Sequence, residues 1–409
     1  MNCDQPFKHL SAPLRGAEVG TFTHRSIVQR LPEIGQRTLA ENDFSPGVVR
    51  KIQRLLSEVP EGPIRHLEDE TLDAGPWSDY IEPYEGADWL DPPWFFAEHY
   101  FYRRLLEATG YFTSGLSLGV DPFKQQKRQG LETSKEAIVD LCKQVLNLLT
   151  RERWSSEGSR RLLSFSLWGN RADLSMWPAG LEEGANQLIG QGSSDHTLVD
   201  DSQVVSAVLS RMEGLENRID LLIDNAGFEL VADLILATYL LKVNIARSVT
   251  LHTKIHPTYV SDATNADIWE VVNFLYKTGS PEISEISNMI ISYLNGGRLV
   301  LKPHPFWTSP LPGWEMPLDL RDSLRGSTLI ISKGDAHYRR LLGDRHWPYR
   351  TPIDQVLCYL PASLLALRTL KSEVAAGIPI GRINQAEQQD PDWLVSGQWG
   401  IIQFHKKDA

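Results

Sequence analysis

Acidic and amide side chains follow two apolar runs of this 409-residue chain, at positions where metal chemistry could occur. The run 219–223 is followed at once by Asp224 and Asn225, and the run 248–254 is followed by Asp262. Carboxylate and amide oxygens are hard ligands that suit divalent cations. Parallel strands present their carboxyl ends at one edge of a sheet, where ligands bind. We therefore predict a divalent-metal site at Asp224, Asn225 and Asp262, with the two aspartates as candidate catalytic residues.

Each of these residues also has a purely structural interpretation. The segment Asp224–Gly227 could form only a tight turn, because Asn and Gly tolerate positive φ angles. Asp262 could instead be the N-cap of a helix that begins at residue 263. Glu229 is interpreted as a carboxylate that offsets the dipole of the helix after Gly227, whereas the role of Asp233, one turn later, stays open.

A further polar segment, Ser332–Arg340, follows an apolar run and opens a helical pattern. Its glycine and two of its cations, Lys333 and Arg339, could hold a phosphate at the N-terminus of that helix. The alternative is a plain capping turn in which the side chain of Asp335 caps the helix.

Composition limits the classes of partner. The formal net charge of −11 argues against nucleic acid, which binds basic surfaces. Three widely spaced cysteines give neither a metal-ligand spacing nor a disulfide framework, which is typical of a reducing compartment. The N-terminal residues lack the pattern of a secretory signal, and no apolar stretch reaches the ~20 residues of a membrane span. We expect a cytoplasmic protein without a membrane partner; a nuclear location and the oligomeric state stay open.

Strands that alternate with helices predict an α/β fold, an α/β/α doubly wound and mostly parallel sheet with a helical N-terminal region. We place the helical region at 1–150 and the catalytic core at 151–409. We interpret Pro361–Leu370 as a helix, with Arg368 and Lys371 as cations at its C-terminal end. The predicted strands are Asp220–Ile223, Val249–Thr253, Arg298–Leu301, Ser327–Ile331 and Gly400–Phe404, and the predicted core helices are Phe228–Val243, Ala266–Lys277, Pro281–Leu294, Leu318–Leu324 and Ala336–Leu342.

Several segments in a compatible order resemble the damage-control phosphatase family, which is also described as protein-glutamate O-methyltransferase-like. RTLK (368–371) is similar to the Arg-Thr-x-Lys motif of the third subgroup of that family, the sugar-phosphate phosphatases. The other segments are PWFFAEHYFYRRL (93–105), DPFKQQK (121–127), LWGNRADLS (167–175), DNAGFELVADL (224–234), LHTKIHPTYVSDA (251–263), KPHPFW (302–307) and SKGDAHYRRL (332–341).

The resemblance implies hydrolysis of small sugar phosphates, fructose 1-phosphate and fructose 6-phosphate, with manganese, cobalt, nickel or magnesium as the metal. Either a water molecule or Asp224 itself could attack the phosphate. The alternative activity is methyl transfer from S-adenosylmethionine to a protein glutamate, although the turn after the first strand is not glycine-rich. The substrate contacts that the resemblance implies are Glu98, Asn170, Asp335, Ala336, His337, Tyr338, Arg339 and Lys371.

Overall fold

The computed structural model describes residues 10–71, 73–149, 154–169 and 195–407. Sixteen α-helices lie in this part of the chain, with a π-helical turn at Ser26–Arg30 that continues directly into the second of them. The helices are α1 Phe22–Arg25, α2 Leu31–Glu41, α3 Pro46–Glu58, α4 Ala74–Ile81, α5 Trp94–Thr109, α6 Lys124–Thr133, α7 Lys135–Leu149, α8 Ser156–Trp168, α9 Ser202–Ser210, α10 Phe228–Lys242, α11 Asn265–Thr278, α12 Pro281–Asn295, α13 Leu318–Arg325, α14 Gly334–Leu342, α15 Ile353–Val356 and α16 Ile380–Gln389.

The described strands form one seven-stranded sheet in the order β1-β7-β6-β5-β2-β3-β4. Five neighbouring strands from β6 to β4 are parallel, whereas β7 pairs antiparallel with β6 and parallel with β1. The carboxyl ends of the five parallel strands therefore share one edge of the sheet. The strands are β1 Thr197–Asp200, β2 Arg218–Leu222, β3 Ser248–His252, β4 Leu299–Leu301, β5 Leu329–Lys333, β6 Leu364–Thr369 and β7 Gly400–His405.

The sheet is covered on both faces, which confirms the predicted α/β class. Successive side chains of a strand point to opposite faces, so Ile330 and Ile331 on β5 belong to two different cores. Ile330 packs in a core with the N-terminal helices, including Trp94 and Tyr100 of α5. Ile331 packs in a core that includes α7, α8 and α10 to α12. Helix α10 is buried nearly all round, which explains its continuous run of apolar residues.

The division into a helical region and a core at residue 150 stays a prediction. Between residues 10 and 149, leaving out residue 72, the structure has helices, turns and isolated bridges but no β-strand. These helices share their apolar core with the sheet, because Leu14 and Ile52 belong to the same cluster as Leu364 and Ile401. The helical region is thus packed onto the sheet that positions the predicted site.

Two expectations from the sequence were wrong, and one strand was missed. Pro361–Leu370 is not a helix, because Leu364–Thr369 is strand β6, buried on both sides between β5 and β7. Strand β1 was not predicted at all. Cys358 is disulfide-bonded, which contradicts the inference from the cysteine count, although Cys142 is buried with a free thiol. Within the described residues, none of the helices is both long and apolar enough to cross a membrane.

Candidate active site

The carboxyl ends of β2, β3, β5 and β6 surround one cavity of about 690 Å³, which includes its open mouth. Asp224 and Asn225 follow β2, Asp262 lies in the loop after β3, and Lys371 follows β6. The wall is completed by helix α14, which begins directly at the end of β5, and by α5 from the N-terminal region. The lining residues are Arg30, Trp94, Glu98, Leu167, Asp224, Asn225, Glu229, Tyr259, Ser261, Asp262, Gly334, Asp335, Ala336, Arg339, Leu367, Thr369 and Lys371.

Main-chain hydrogen bonds join the loop after β2 to the loop after β3. The N–H of Ala263 donates to the carbonyl of Asp224 at 2.8 Å, and the N–H of Ala226 donates to the carbonyl of Ser261 at 2.6 Å. Asn225 and Asp262 form an isolated bridge between the same loops. The three predicted metal ligands are therefore held together by the backbone, as the sequence predicted from two strand ends.

Two carboxylate oxygens at this junction are buried without a hydrogen-bond partner in the described structure, Oδ1 of Asp224 and Oδ2 of Asp262. The ammonium of Lys254 lies 3.3 Å from Oδ2 of Asp262 and 3.8 Å from Oδ1 of Asp224, so one positive charge faces two carboxylates. A buried carboxylate oxygen without a hydrogen bond is costly unless a cation compensates it. Asn225 supplies an amide oxygen, which accepts from Ser261 Oγ at 2.6 Å. These oxygens fit a hard divalent cation. No cluster of three or more His, Cys, Asp or Glu suited to a metal occurs among the described residues, and the set proposed here has two carboxylates and one amide.

Burial raises the pKa of Asp224 well above its usual range, because the charged form loses its hydration. The neighbouring carboxylates of Asp262 and Glu229 raise it further, whereas the ammonium groups of Lys254 and Lys371 oppose the shift. Burial raises the pKa of Asp262 as well. A cation bound between the two aspartates would favour their charged forms.

Helix α14 approaches Asp224 closely because it begins with a glycine. Gly334 has a φ of +76°, and a Cβ atom there would lie 1.7 Å from Asp224 Oδ2. Only glycine combines this left-handed conformation with so short a distance. The first N–H groups of a helix lack partners within the helix and attract anions. The N-terminus of α14 thus faces the predicted metal ligand Asp224 across the cavity wall.

Asp335 is not the N-cap of α14, because the cap position is occupied by Lys333 and no side chain caps the helix. The carboxylate of Asp335 instead accepts hydrogen bonds from Arg368 Nε at 2.8 Å and from the backbone N–H of Lys371 at 3.1 Å. Burial raises the pKa of Asp335, but Arg368 and Arg339 outweigh that effect and lower it. The carboxylate therefore stays charged and fixes the backbone of Lys371 beside the cavity.

Arg339 and Glu98 face the cavity as an ion pair rather than as free charges. Nη1 of Arg339 donates to Oε2 of Glu98 at 2.5 Å, and Nε donates to Asp344 Oδ1 at 2.7 Å. The guanidinium also stacks at 3.5 Å from the ring of Trp94. Tyr259 donates to the same oxygen of Glu98 at 3.2 Å. The charge of Arg339 is therefore balanced within the protein by the carboxylates of Glu98 and Asp344.

Two of the predicted substrate contacts on α14, His337 and Tyr338, do not line the cavity. The His337 ring lies behind the predicted metal ligands, with Nε2 3.1 Å from Lys254 Nζ. Tyr338 donates to Gln403 Oε1 at 3.1 Å, on the side of α14 that faces β7. Ala336, by contrast, lines the cavity near the start of α14. Asn170 lies outside the described residues.

Lys371 lines the cavity, but it is not a cation at the C-terminal end of a helix, as the sequence predicted. It follows strand β6 rather than a helix, so the helix-dipole interpretation no longer applies. Lys333 was also predicted near the phosphate, but it is buried away from the cavity in ion pairs with Asp233 and Glu229. Among the lysines of the described residues, Lys371 is the one that reaches the cavity.

Sequence reasoning missed several cavity residues. Glu229 was interpreted as a helix-dipole carboxylate, yet it accepts from Asn225 Nδ2 at 2.9 Å and so orients a predicted ligand. The position of Glu229 in an otherwise apolar helix was the feature of the sequence that could have indicated this role. Tyr259 and Ser261 lie in the polar run before Asp262, and Arg30 belongs to a helical region with no obvious link to the sheet.

Buried aspartates and a helix N-terminus meet at one edge of an α/β sheet, and the relatives of this chain show that it is a phosphatase. The chain belongs to the damage-control phosphatase ARMT1-like family, whose model matches residues 25–385. The chain is 32% identical to Damage-control phosphatase ARMT1 of Danio rerio, over 94% of this chain and 95% of that protein. It is 32% identical to the protein of the same name from Mus musculus, over 96% and 98%.

A solved structure is also similar. It is a DUF89 family protein from Pyrococcus horikoshii, with a TM-score of 0.49, 16% sequence identity, and coverage of 93% of this chain and 98% of that chain.

Proposed function

We propose that this phosphatase depends on a divalent metal held by Asp224, Asn225 and Asp262, and that it hydrolyses small sugar phosphates. Fructose 1-phosphate and fructose 6-phosphate are the proposed substrates, and manganese, cobalt, nickel or magnesium is the proposed metal. The observation that carries the proposal is the pair of buried oxygens on Asp224 and Asp262, which lack hydrogen-bond partners among the described residues and lie at the N-terminus of α14.

The residues around the cavity have different proposed roles, which depend on their charge. When bound, the metal stabilises the charge that develops on the phosphoryl group. The first N–H groups of α14 and the ammonium of Lys371 bind the phosphate oxygens from the other side. Glu98, held by Arg339 and Tyr259, is placed to accept hydrogen bonds from sugar hydroxyls. Trp94 and Leu167 give that part of the wall its apolar surface.

Asp224 can contribute in either of two ways. As a base, the carboxylate of Asp224 accepts a proton from an attacking water molecule. As a nucleophile, Asp224 attacks the phosphorus, the bond to the sugar oxygen breaks, and water then hydrolyses the aspartyl phosphate. Rapid quench followed by mass spectrometry distinguishes the two routes, because only the second leaves a phosphoryl group on the peptide that contains Asp224.

Phosphate release tests the proposal directly. Protein stripped with a chelator is assayed with each sugar phosphate, with and without each of the four metals. We expect release that requires metal, is abolished in Asp262→Asn, and is unchanged in Asp322→Asn, whose carboxylate is exposed on α13 and pairs with Arg325. Methylation of a protein glutamate by S-adenosylmethionine, with no phosphate release under any metal, would overturn the proposal.

A further inference from the structure

A buried lysine lies directly behind the proposed metal ligands. Lys254 follows β3 and has 3% of its surface exposed. Its Nζ is 3.3 Å from Asp262 Oδ2 and 3.8 Å from Asp224 Oδ1, the two oxygens that lack hydrogen-bond partners. The ammonium also donates to the carbonyl of Ile223 at 3.2 Å. Lys254 does not line the cavity, so it acts on a bound molecule through the two aspartates.

Lys254 differs from the other lysine buried near the site. Lys333 forms ion pairs with Glu229 at 3.4 Å and Asp233 at 3.1 Å, and it also donates to a helix carbonyl. That lysine holds α10 against the end of β5, so structure alone explains it. Lys254 pairs instead with the two carboxylates that are proposed to bind the metal. Burying an ammonium costs several kcal/mol unless a partner compensates it, and here the partners are the ligands themselves.

The charges at this position have a consequence for binding. Asp224, Asp262 and Lys254 together carry one negative charge when both carboxylates are ionised, and a divalent cation changes the sum to one positive charge. Without Lys254 the loaded cluster would be neutral. In a buried site of low dielectric, a charge a few Å away repels a cation and attracts an anion strongly. The lysine therefore opposes metal binding and favours a phosphate dianion.

We propose that Lys254 is a positioning residue that acts through Asp224 and Asp262: it weakens the binding of the divalent cation and strengthens the binding of phosphate to the loaded site. This inference rests on the proposed metal dependence of the phosphatase. It predicts effects of opposite sign on two ligands, whereas a lysine that only supported the fold would weaken the binding of both when removed.

The test measures the two ligands separately by isothermal titration calorimetry. Full-length protein, stripped with a chelator, is titrated with Mn²⁺, and the Mn²⁺-loaded protein is titrated with inorganic phosphate. For Lys254→Met we expect Mn²⁺ to bind at least about tenfold more tightly and phosphate at least about tenfold more weakly. Lys254→Arg, which keeps the charge, should bring the Kd for Mn²⁺ back towards that of the unmodified protein. If Lys254→Met does not fold, Lys254→Gln replaces it, because its amide can still donate to the Ile223 carbonyl.

Lys127→Met is the matched control, because Lys127 is also buried between two aspartates, Asp121 at 2.8 Å and Asp267 at 3.0 Å. We expect it to lower stability while changing the Mn²⁺ affinity by less than Lys254→Met does. If Mn²⁺ binds Lys254→Met no more tightly than it binds the unmodified protein, the proposed role of Lys254 is overturned, but the proposed metal dependence is not. Unmodified protein that binds no Mn²⁺ would overturn the proposed metal dependence, and this inference with it.

Discussion

Strand β2 and the loop that follows it each carry a buried aspartate, and the surroundings of the two are opposite. Asp220, in the middle of the strand, accepts hydrogen bonds from Arg218 Nε at 2.7 Å and from Ser327 Oγ, and it lies 2.8 Å from His252 Nε2. Asp224, just beyond the strand, keeps one oxygen without a hydrogen-bond partner among the described residues. Burial raises the pKa of both, but donors outweigh it and lower the pKa of Asp220, whereas the pKa of Asp224 stays raised.

The difference distinguishes a structural carboxylate, Asp220, from Asp224, for which we propose a functional role. A fully hydrogen-bonded buried carboxylate stabilises the fold and has no capacity left for a ligand. A partly satisfied one carries a cost that persists only where something else compensates it. Asp220 and Asp224 lie four residues apart, so mutations at the two positions compare the two roles within one short segment of the chain.

The largest effect is expected for Asp224→Asn. Loss of a carboxylate ligand should lower the rate of sugar-phosphate hydrolysis by at least about a thousandfold, since metal stabilisation of charge contributes several kcal/mol. Stability should change little, because the loss of the ion pair with Lys254 offsets the removal of a costly buried charge. Steady-state kinetics and a thermal melt measure both quantities, and a variant that kept its activity would refute the functional role of Asp224.

Asp220→Ala should have the opposite result, a loss of stability with little change in turnover. Removing this carboxylate leaves Arg218 and His252 without their acceptor, so we expect the free energy of unfolding to fall by roughly 3 kcal/mol. The turnover of the molecules that remain folded should change little, because Asp220 does not line the cavity. Urea denaturation and active-site-normalised kinetics check the two halves. A large loss of turnover with unchanged stability would contradict the comparison.

Lys371→Ala should lower turnover by about a hundredfold, the scale seen when one pre-organised charge donor is removed. The melting temperature should change by only a few degrees, because the Lys371 side chain is exposed at the cavity and its backbone is fixed by Asp335. Lys371→Arg should restore little activity, since a planar guanidinium does not replace a compact ammonium. Normal turnover in the alanine variant would remove Lys371 from the site.

The smallest effect concerns acid stability. The folded pKa of Asp220 is lowered below its unfolded value, so its contribution is complete above about pH 4 and is lost as the pH falls through the folded pKa. The stability difference between the unmodified protein and Asp220→Ala should therefore shrink below about pH 4, by at most about 1.4 kcal/mol per pH unit. Urea melts at a series of pH values measure it; a difference that grew on acidification would have the wrong sign.

The strands predicted well from the sequence were those whose local pattern of apolar residues matches their position in the sheet. Strands β2, β3, β4, β5 and β7 were predicted, each within a few residues of its bounds. Strand β6 was predicted as a helix because Leu364–Thr369 consists largely of leucine and alanine, and a strand buried on both faces shows no alternation. Strand β1, only four residues long at the edge of the sheet, carries too little signal.

The residues of the predicted site also differ in how far the sequence could predict them. Asp224 and Asp262 could be predicted to lie close together, because the topology of a parallel sheet places the loops after its strands at one edge. The roles of Glu229 and Lys254 depend on which side chains meet after folding, and neither residue type reveals that in isolation. His337 and Tyr338 were placed at the phosphate by their segment, but a helix turns successive side chains by about 100°, so adjacent residues face different surroundings.

Strand β7 has a consequence for how the chain acquires its structure. Gly400–His405 lies between β1 and β6, so an inner strand of the sheet is built from residues about two hundred positions after one of its partners. Pairing over such sequence separations makes folding slow, and during synthesis the sheet stays open until the last strand leaves the ribosome. A nascent chain shorter than about 400 residues would expose the unpaired edges of β1 and β6, which is the state that chaperones protect from aggregation.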